Sequence, residues 1–322
     1  MTQEAPFAVQ VELTEGCNLR CSYCGLSGIR EKGKLDLKFL SLAEADALAA
    51  NIAAAGWNPR VEFAMHGEPT LNPHHVAIFA AFRKHLPGAY LLIETNGGGI
   101  FPKKDRIAHL LGMLEHLDCV GLDQYQGVPL IPAIWEDVAA QWDRFVDAGV
   151  AVHEYPKDPD GNPHQRSRKK RLVRIAPIDT ATKGTHATLN NHTGAGAPLD
   201  FGKQGKRCAK PFREMSIRWD GSVALCCNDW RGKYKCGNAL LDSVETIWNN
   251  AYFDAARRRL MQGDRSFGPC HGCNATSYRT GLLPDKKGKV AMPLPDKASE
   301  TALAEALAGK PYTAPVVREW EK

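Results

Sequence analysis

The stretch TEGCNLRCSYCG, residues 14–25, places Cys17, Cys21 and Cys24 in a C-x3-C-x2-C pattern. Thiolates at three- and four-residue spacing on a tight loop can converge on one centre, and cysteine is the preferred ligand of iron–sulfur clusters. Three thiolates ligate three irons of a cubane and leave the fourth open to an outside ligand, which is the condition a catalytic metal site needs. A zinc site completed by a distant His or Cys, or a set of free thiols, would use the same residues. The usual zinc knuckle is C-x2-C joined to a second such pair. Inert thiols are buried singly in apolar surroundings, and this loop is polar.

Composition sets the compartment for that chemistry. The chain has 322 residues, 43% hydrophobic and 24% charged, a globular make-up with room for one large domain and a smaller one. No apolar run approaches the ~20 residues that span a bilayer, and MTQEAPFAVQ lacks the basic start and apolar core of a signal peptide. A cytoplasmic address without a membrane partner is expected, and there ten cysteines read better as metal or redox groups than as disulfides. Net charge is +5 and uneven, with six Arg or Lys and no acid in NPHQRSRKKRLVR (162–174). Such a run attracts anions, a phosphorylated substrate or nucleic acid among them. No aromatic residue interleaves with the charges for base stacking, so a solvated loop leading into a strand is favoured over a nucleic-acid surface.

The elements that must position the cysteines alternate in type. Strand candidates are FAVQVEL (7–13), RVEFAM (60–65), AYLLIE (89–94), DCVGLD (118–123), VAVHEY (150–155) and RLVRIA (171–176). Helices are expected at 41–56, where Ser41 and Glu44 form a capping box ahead of Gly56, and near 74–86, 103–116 and 132–147. The alternation argues for parallel strands with crossover helices, and about six units are too few for a full eight-unit barrel. The expected fold is α/β, a partial (β/α)6 barrel of the TIM type over 1–176, with chemistry at the carboxyl ends of the strands. A loop over 177–207 follows. A cysteine-rich segment, 208–281, begins with the hairpin MSIRWDGSVALCC turned at Asp220–Gly221 and continues with a helix from about Asp242. A Pro- and Lys-rich tail, 282–322, carries one short helix at 299–308 and is expected to pack loosely.

CNLRCSYC after a strand resembles the cluster loop of the radical S-adenosylmethionine (SAM) superfamily, including the aromatic Tyr23 before the third cysteine. HGEPT (66–70) after the second strand resembles that family's GGE segment, with His66 in place of the first Gly. ETNG (94–97) after the third is similar to its ribose-contacting strand end. The resemblance implies that a [4Fe–4S] cluster on Cys17, Cys21 and Cys24 holds SAM at its open iron and cleaves it to a 5′-deoxyadenosyl radical. It implies that Gly67 and Glu68 meet the methionine amino group, and that Glu94 and Asn96 meet the ribose. GEP and TNG are also common turn chemistry, but three such motifs at three successive strand ends are hard to dismiss.

From Cys208 onward, the DG hairpin, Gly237–Asn238, Ile247–Trp248 and the C-x2-C of Cys270 and Cys273 resemble the SPASM or twitch extension of radical SAM enzymes. There cysteines hold an auxiliary [4Fe–4S] cluster. The absence of cysteine after Cys273 fits the shorter, single-cluster twitch, with Cys208, Cys226, Cys270 and Cys273 as ligands. Cys227 should point away from Cys226, Cys236 is an alternative ligand or a free thiol, and Cys119 is expected in the core. A structural zinc ribbon is the competing reading.

These features imply a two-electron oxidation in which the auxiliary cluster takes the second electron, fed at the first cluster by a donor such as flavodoxin or ferredoxin. Asp123, Tyr125, His153, Glu154 and Arg174 at strand ends are the candidate bases and anchors, with Asn190, Asn191 and His192 within reach from the loop. Resemblance to twitch enzymes brings forward sugar- or cyclitol-like alcohols and peptides as substrates. The first strand starts by residue 7, which leaves no room for a peptide-recognition domain ahead of it and tilts the choice to a small molecule. A non-catalytic iron–sulfur or zinc protein that binds a partner is the reading from another class.

Overall fold

The computed structural model describes residues 4–28, 36–177, 191–196, 207–275 and 294–313. The strands are β1 (Ala8–Val11), β2 (Thr14–Glu15), β3 (Lys38–Phe39), β4 (Arg60–Glu62), β5 (Tyr90–Thr95), β6 (Cys119–Asp123), β7 (Val150–Tyr155), β8 (Lys170–Ile175), β9 (Glu214–Ile217), β10 (Ser222–Ala224) and β11 (Lys235–Asn238). The helices are α1 (Leu42–Ala54), α2 (His75–His85), α3 (Arg106–His116), α4 (Leu130–Ala140), α5 (Trp142–Asp147), α6 (Lys210–Arg213), α7 (Val244–Trp248), α8 (Ala251–Met261) and α9 (Lys297–Leu307). One nine-stranded sheet has the order β11-β10-β9-β1-β4-β5-β6-β8-β7, and β2 pairs with β3 apart from it. Every pairing from β9 across to β7 is parallel, while β10 and β11 run antiparallel at the edge.

Alternation along the strands divides the two faces. Val9, Val11, Val61, Leu91, Ile93 and Val120 pack against Leu48, Ile52, Phe79, Phe82 and Leu110 of the helices. The residues between them, Gln10, Glu62 and Glu94, turn to the other face and line the cavity described below. The Ser41–Glu44 capping box is present, with Glu44 N donating to Ser41 Oγ at 3.2 Å and Ser41 N to Glu44 Oε2 at 2.9 Å.

Six parallel strands precede the extension, as the alternation predicts. The sixth, β8, inserts between β6 and β7 instead of taking the edge. The β7–β8 connection contains only a short 3-10 turn, Pro159–Gly161, and Arg171 folds it back against the sheet. Arg171 is 2% exposed. Its Nη1 donates to the carbonyls of Asp160 and Asn162, and its Nη2 to Tyr90 Oη and the Gln165 carbonyl. The basic run is therefore not a solvated loop throughout; Arg171 and most of His164 are inside.

The other edge is extended too. β9 lies parallel to β1, in register Ala8↔Glu214 and Gln10↔Ser216, so the cysteine-rich segment continues the barrel's own sheet. The expected hairpin turns at Gly221, whose φ of +76° and 2.6 Å clearance to Asn238 Oδ1 and Leu240 exclude a side chain. The helix expected from Asp242 is two helices: Ser243 caps α7, and Asn250 caps α8 by accepting from Tyr252 N and Phe253 N. α9 is packed rather than loose, with Ala302, Leu303 and Ala306 buried and Arg259 paired to Glu300. Among the described residues no helix is long and apolar enough to cross a membrane.

Candidate active site

Cys17, Cys21 and Cys24 lie beyond β2, half-buried at the carboxyl end of the barrel strands. Cys24 N donates to the Cys21 carbonyl at 3.1 Å. Leu19 N and Asn96 Nδ2 donate to Cys17 Sγ at 3.3 and 3.2 Å. Burial pushes the Cys17 thiol up to about 12, with Glu68, Cys24 and Cys21 nearby adding to the effect. Thiolates placed like this need positive charge beside them, which the irons of a cluster supply. Asn96 thus reaches the cluster loop itself. Tyr23 stacks on Tyr125, ring centroids 6.5 Å apart.

Gly67 is required by the chain's own backbone. A Cβ there would lie 1.9 Å from the Thr14 carbonyl oxygen and 2.5 Å from that of Gly16, and Glu68 N donates to Gly16 O at 2.9 Å. Glu68 accepts from Thr70 N at 2.9 Å, Asn96 N at 2.8 Å, and the hydroxyls of Thr70 and Thr95. Burial still pushes its carboxyl above the usual range. Glu68 therefore ties the ends of β4 and β5 together where it faces the cavity. Glu94 carries His164 Nε2 at 2.9 Å.

Cys208, Cys226, Cys270 and Cys273 are all buried, between 7% and 9% exposed. They sit within electrostatic reach of one another: Cys226 with Cys270 and Cys273, and Cys270 with Cys208 and Cys273. Burial first, and then these neighbours, hold the Cys226 and Cys270 thiols well above the ordinary value. Four buried thiols of this kind fit a fully ligated cluster. Cys227 lines the cavity, but it and Cys226 lie in a turn beyond the end of β10 at Ala224 and not on a strand, so the turn and not strand alternation separates them. Cys236 and Cys119 are fully buried in the core. None of the ten cysteines is in a disulfide. Among the described residues no three His, Cys, Asp or Glu side chains meet at the distance a single metal ion demands.

A cavity of about 500 Å³ joins these parts. It opens on Cys17, Cys21 and Cys24, passes Gly67, Glu68 and Asn96, and reaches Phe7 and Arg60 at the amino ends of β1 and β4. His164 closes that far end between Glu94 and Glu62, its Nδ1 3.5 Å from Glu62. Burial alone would lower the His164 pKa, but Glu94 and Glu62 override it and raise it to about 10. Against the effect of burial, His164, Arg60 and Gln10 hold the Glu62 carboxyl below its usual range. Lys210, Arg213, Glu214, Cys227 and Asn228 line the side formed by the extension, with Glu214 level with Ala8 and Arg60 across β9, β1 and β4.

Of the residues expected to do chemistry, Asp123 and Tyr125 line the cavity. His153, Glu154 and Arg174 do not. They pair outside it: His153 with Asp158, Glu154 with Lys157 and Arg174, and Arg174 with Gln124. His153 and Glu154 lie on β7, the edge strand, which β8 separates from the rest of the sheet, and Arg174 on β8 turns to Gln124 and Glu154. His192 lines the cavity, its ring 4.8 Å from Trp230. Asn191 is tied to the auxiliary segment, its N donating to Asn274 Oδ1 and its Nδ2 to the Gly272 carbonyl, and Asn190 lies outside the described residues. Sequence reasoning missed Glu62, His164, Lys210, Glu214 and Trp230.

The radical SAM superfamily matches residues 11–148, and the SPASM iron–sulfur cluster-binding domain matches 208–274. The S-adenosyl-L-methionine-dependent 2-deoxy-scyllo-inosamine dehydrogenase of Niallia circulans is 22% identical over 275 residues, covering 84% of this chain and 94% of that protein. A GTP 3′,8-cyclase from Pectobacterium atrosepticum is 33% identical over 91 residues, 28% of this chain and 27% of that one. The crystal structure of BtrN in complex with AdoMet and 2-DOIA superposes with a TM-score of 0.63 at 20% identity, over 85% of this chain and 95% of that one. BtrN in an open conformation gives 0.56 at 18% identity, over 84% and 93%.

Proposed function

The chain belongs to the radical SAM superfamily and carries a C-terminal SPASM domain, with [4Fe–4S] clusters and SAM as its cofactors, and from that premise we propose that it oxidises a secondary alcohol of a small, cyclitol-like substrate to a ketone. One observation carries the reading. A single cavity of about 500 Å³ runs from the three-cysteine loop to Cys227, the residue next to Cys226 of the four-cysteine set. A substrate held there lies between a site with an open ligand position and one without. The likeness to a cyclitol dehydrogenase over 84% of the chain supports the same direction.

Bound at these residues, the cofactors supply hydrogen-atom abstraction and a one-electron sink. The chain's own part is to orient and to exclude water. Gly67 and Glu68 fix the strand end against the cluster loop, and Asn96 reaches Cys17. His164 shuts the far end of the cavity, which limits the substrate's size. The lining is charged on every side, with Arg60, His164, Lys210 and Arg213 facing Glu62, Glu94, Asp123 and Glu214. Such a surface suits a ligand rich in hydroxyl groups, since buried polar groups must find partners. Ten cysteines, none in a disulfide, support a cytoplasmic location. An external donor such as flavodoxin or ferredoxin would deliver the first electron.

The test is anaerobic reconstitution with iron and sulfide, followed by dithionite, SAM and 2-deoxy-scyllo-inosamine. Formation of 5′-deoxyadenosine together with a ketone is expected, with about eight irons per chain as two cubane clusters. Cys17→Ala should abolish both products. 5′-Deoxyadenosine without oxidation of any cyclitol or amino-cyclitol offered would overturn the reading.

A further inference from the structure

We infer that Glu214 takes the proton from the substrate hydroxyl and that Lys210 positions it, an inference that rests on the dehydrogenase reading. Turning a secondary alcohol into a ketone needs three exits. The C–H bond breaks as the hydrogen atom passes to the 5′ carbon. The O–H bond breaks as its proton passes to a base. The electron left behind, as C–O becomes C=O, goes to the oxidised auxiliary cluster. The cofactors serve the first and third, so the base must come from the chain.

Five carboxylates line the cavity: Glu62, Glu68, Glu94, Asp123 and Glu214. Glu68 is committed to four donors at the ends of β4 and β5. Glu62 is held by Arg60, Gln10 and His164, and Glu94 by His164. Asp123 stands at the radical-cluster end, within electrostatic reach of Tyr23 and Tyr125. Glu214 stands on the wall formed by the extension, level with Ala8 and Arg60. Its Oε2 accepts from Lys210 Nζ at 2.6 Å, and Oε1 has no partner among the described residues. The same Nζ lies 3.3 Å from Cys227 Sγ.

Both side chains are nearly buried, Lys210 at 10% and Glu214 at 13% exposed. The Lys210 ammonium at 2.6 Å fixes the carboxylate's orientation and leaves Oε1 turned to the cavity. Chain connectivity supplies the second half of the argument. Lys210 follows Cys208 by two residues and Cys227 adjoins Cys226, so the proton acceptor shares a wall with two ligands of the auxiliary set. Proton and electron then leave by the same side, and no charge is separated across a low-dielectric cavity.

The experiment compares reconstituted wild type, Glu214→Gln, Glu214→Asp and Asp123→Asn, with SAM, dithionite and 2-deoxy-scyllo-inosamine. Iron content and calorimetric affinity for the alcohol are measured beside turnover. Glu214→Gln is expected to keep its iron and bind the alcohol within about threefold of wild type. Its yield of ketone per 5′-deoxyadenosine should fall about 100-fold or more, and Glu214→Asp should recover part of it. A merely structural role would instead lower affinity or iron content. Undiminished ketone yield in Glu214→Gln, or uncoupling in Asp123→Asn in its place, overturns the assignment. A wild type that cleaves SAM but oxidises no cyclitol fails at the earlier step, and the base assignment falls with it.

Discussion

His66 Nε2 lies 2.8 Å from the carbonyl oxygen of Cys227, 161 residues further along the chain. Its Nδ1 lies 3.0 Å from Glu12 Oε1 on the other side of the ring. One imidazole, 2% exposed, thus ties the stretch after β4, where the Gly67–Glu68 segment begins, to the segment that carries Cys226. Trp230 packs over it with ring centroids 4.7 Å apart, and also against Cys17 and Cys24. The family pattern has glycine at this position, which could make none of these contacts.

His66→Gly should therefore cost stability although it restores the commoner residue. One buried acceptor, the Cys227 carbonyl, loses its donor, for a penalty of about 1–3 kcal/mol. Denaturant unfolding of the apoprotein is the measurement. An unchanged midpoint would mean that the bridge carries no load.

Gly67→Ala should be worse than its single methyl group implies. The new Cβ would meet backbone oxygens of Thr14 and Gly16, which cannot swing aside as a side chain can. Overpacking of this kind costs about 1–3 kcal/mol, and relief requires β4 to pull away from the cluster loop. Weaker SAM binding is expected together with lowered thermal stability. Wild-type SAM affinity in a fully folded variant would count against the close approach.

The His164 pair predicts a pH dependence of stability. The folded-state pKa is about 10 and the ordinary value 6.5, so protonation is favoured by folding. The contribution is complete below about pH 6.5 and is lost as pH rises through about 10. Within that window the group can steepen the fall in unfolding free energy by at most about 1.4 kcal/mol per pH unit. His164→Gln should flatten the wild-type slope between pH 7 and pH 10 while leaving pH 5 behaviour to the acidic groups. Parallel slopes for the two proteins would rule out a charged His164 between Glu62 and Glu94.

Much of this was legible in the sequence because it depends on local spacing. The strand–helix alternation, the Ser41–Glu44 box, the Gly221 turn and the three-cysteine loop are each set by residues within a few positions of one another. The order of β7 and β8 is not, because it depends on where Arg171 finds four acceptors in the folded chain. His164 was hidden within a basic run whose neighbours are exposed. Lys210 and Glu214 read as ordinary charges in KPFRE. Their one signal, a Lys–Glu pair four apart that begins two residues after Cys208, acquires meaning only when β9 docks on β1 and turns them into the barrel. His153 and Glu154 sit on the edge strand β7, away from the mouth, whereas Arg174 is on the interior strand β8 and is taken up by Gln124 and Glu154.

Cys226 and Cys227 give the sharpest separation between holding iron and meeting substrate. They are adjacent in sequence and of one residue type, so composition and general damage to the fold are nearly matched between substitutions. Cys226 sits among Cys270 and Cys273, whereas Cys227 faces the cavity with Lys210 Nζ at 3.3 Å. Cys226→Ser should lower the iron content from about eight to about four per chain and leave SAM cleavage in part intact while ketone formation is lost. Cys227→Ser should retain all of the iron, because serine preserves an acceptor for Lys210 without touching the auxiliary set. Its effect should appear in affinity for the alcohol. If Cys227→Ser loses iron as Cys226→Ser does, then Cys227 is a ligand, and the wall formed by the extension has to be drawn again with Lys210 facing the cluster and not the substrate.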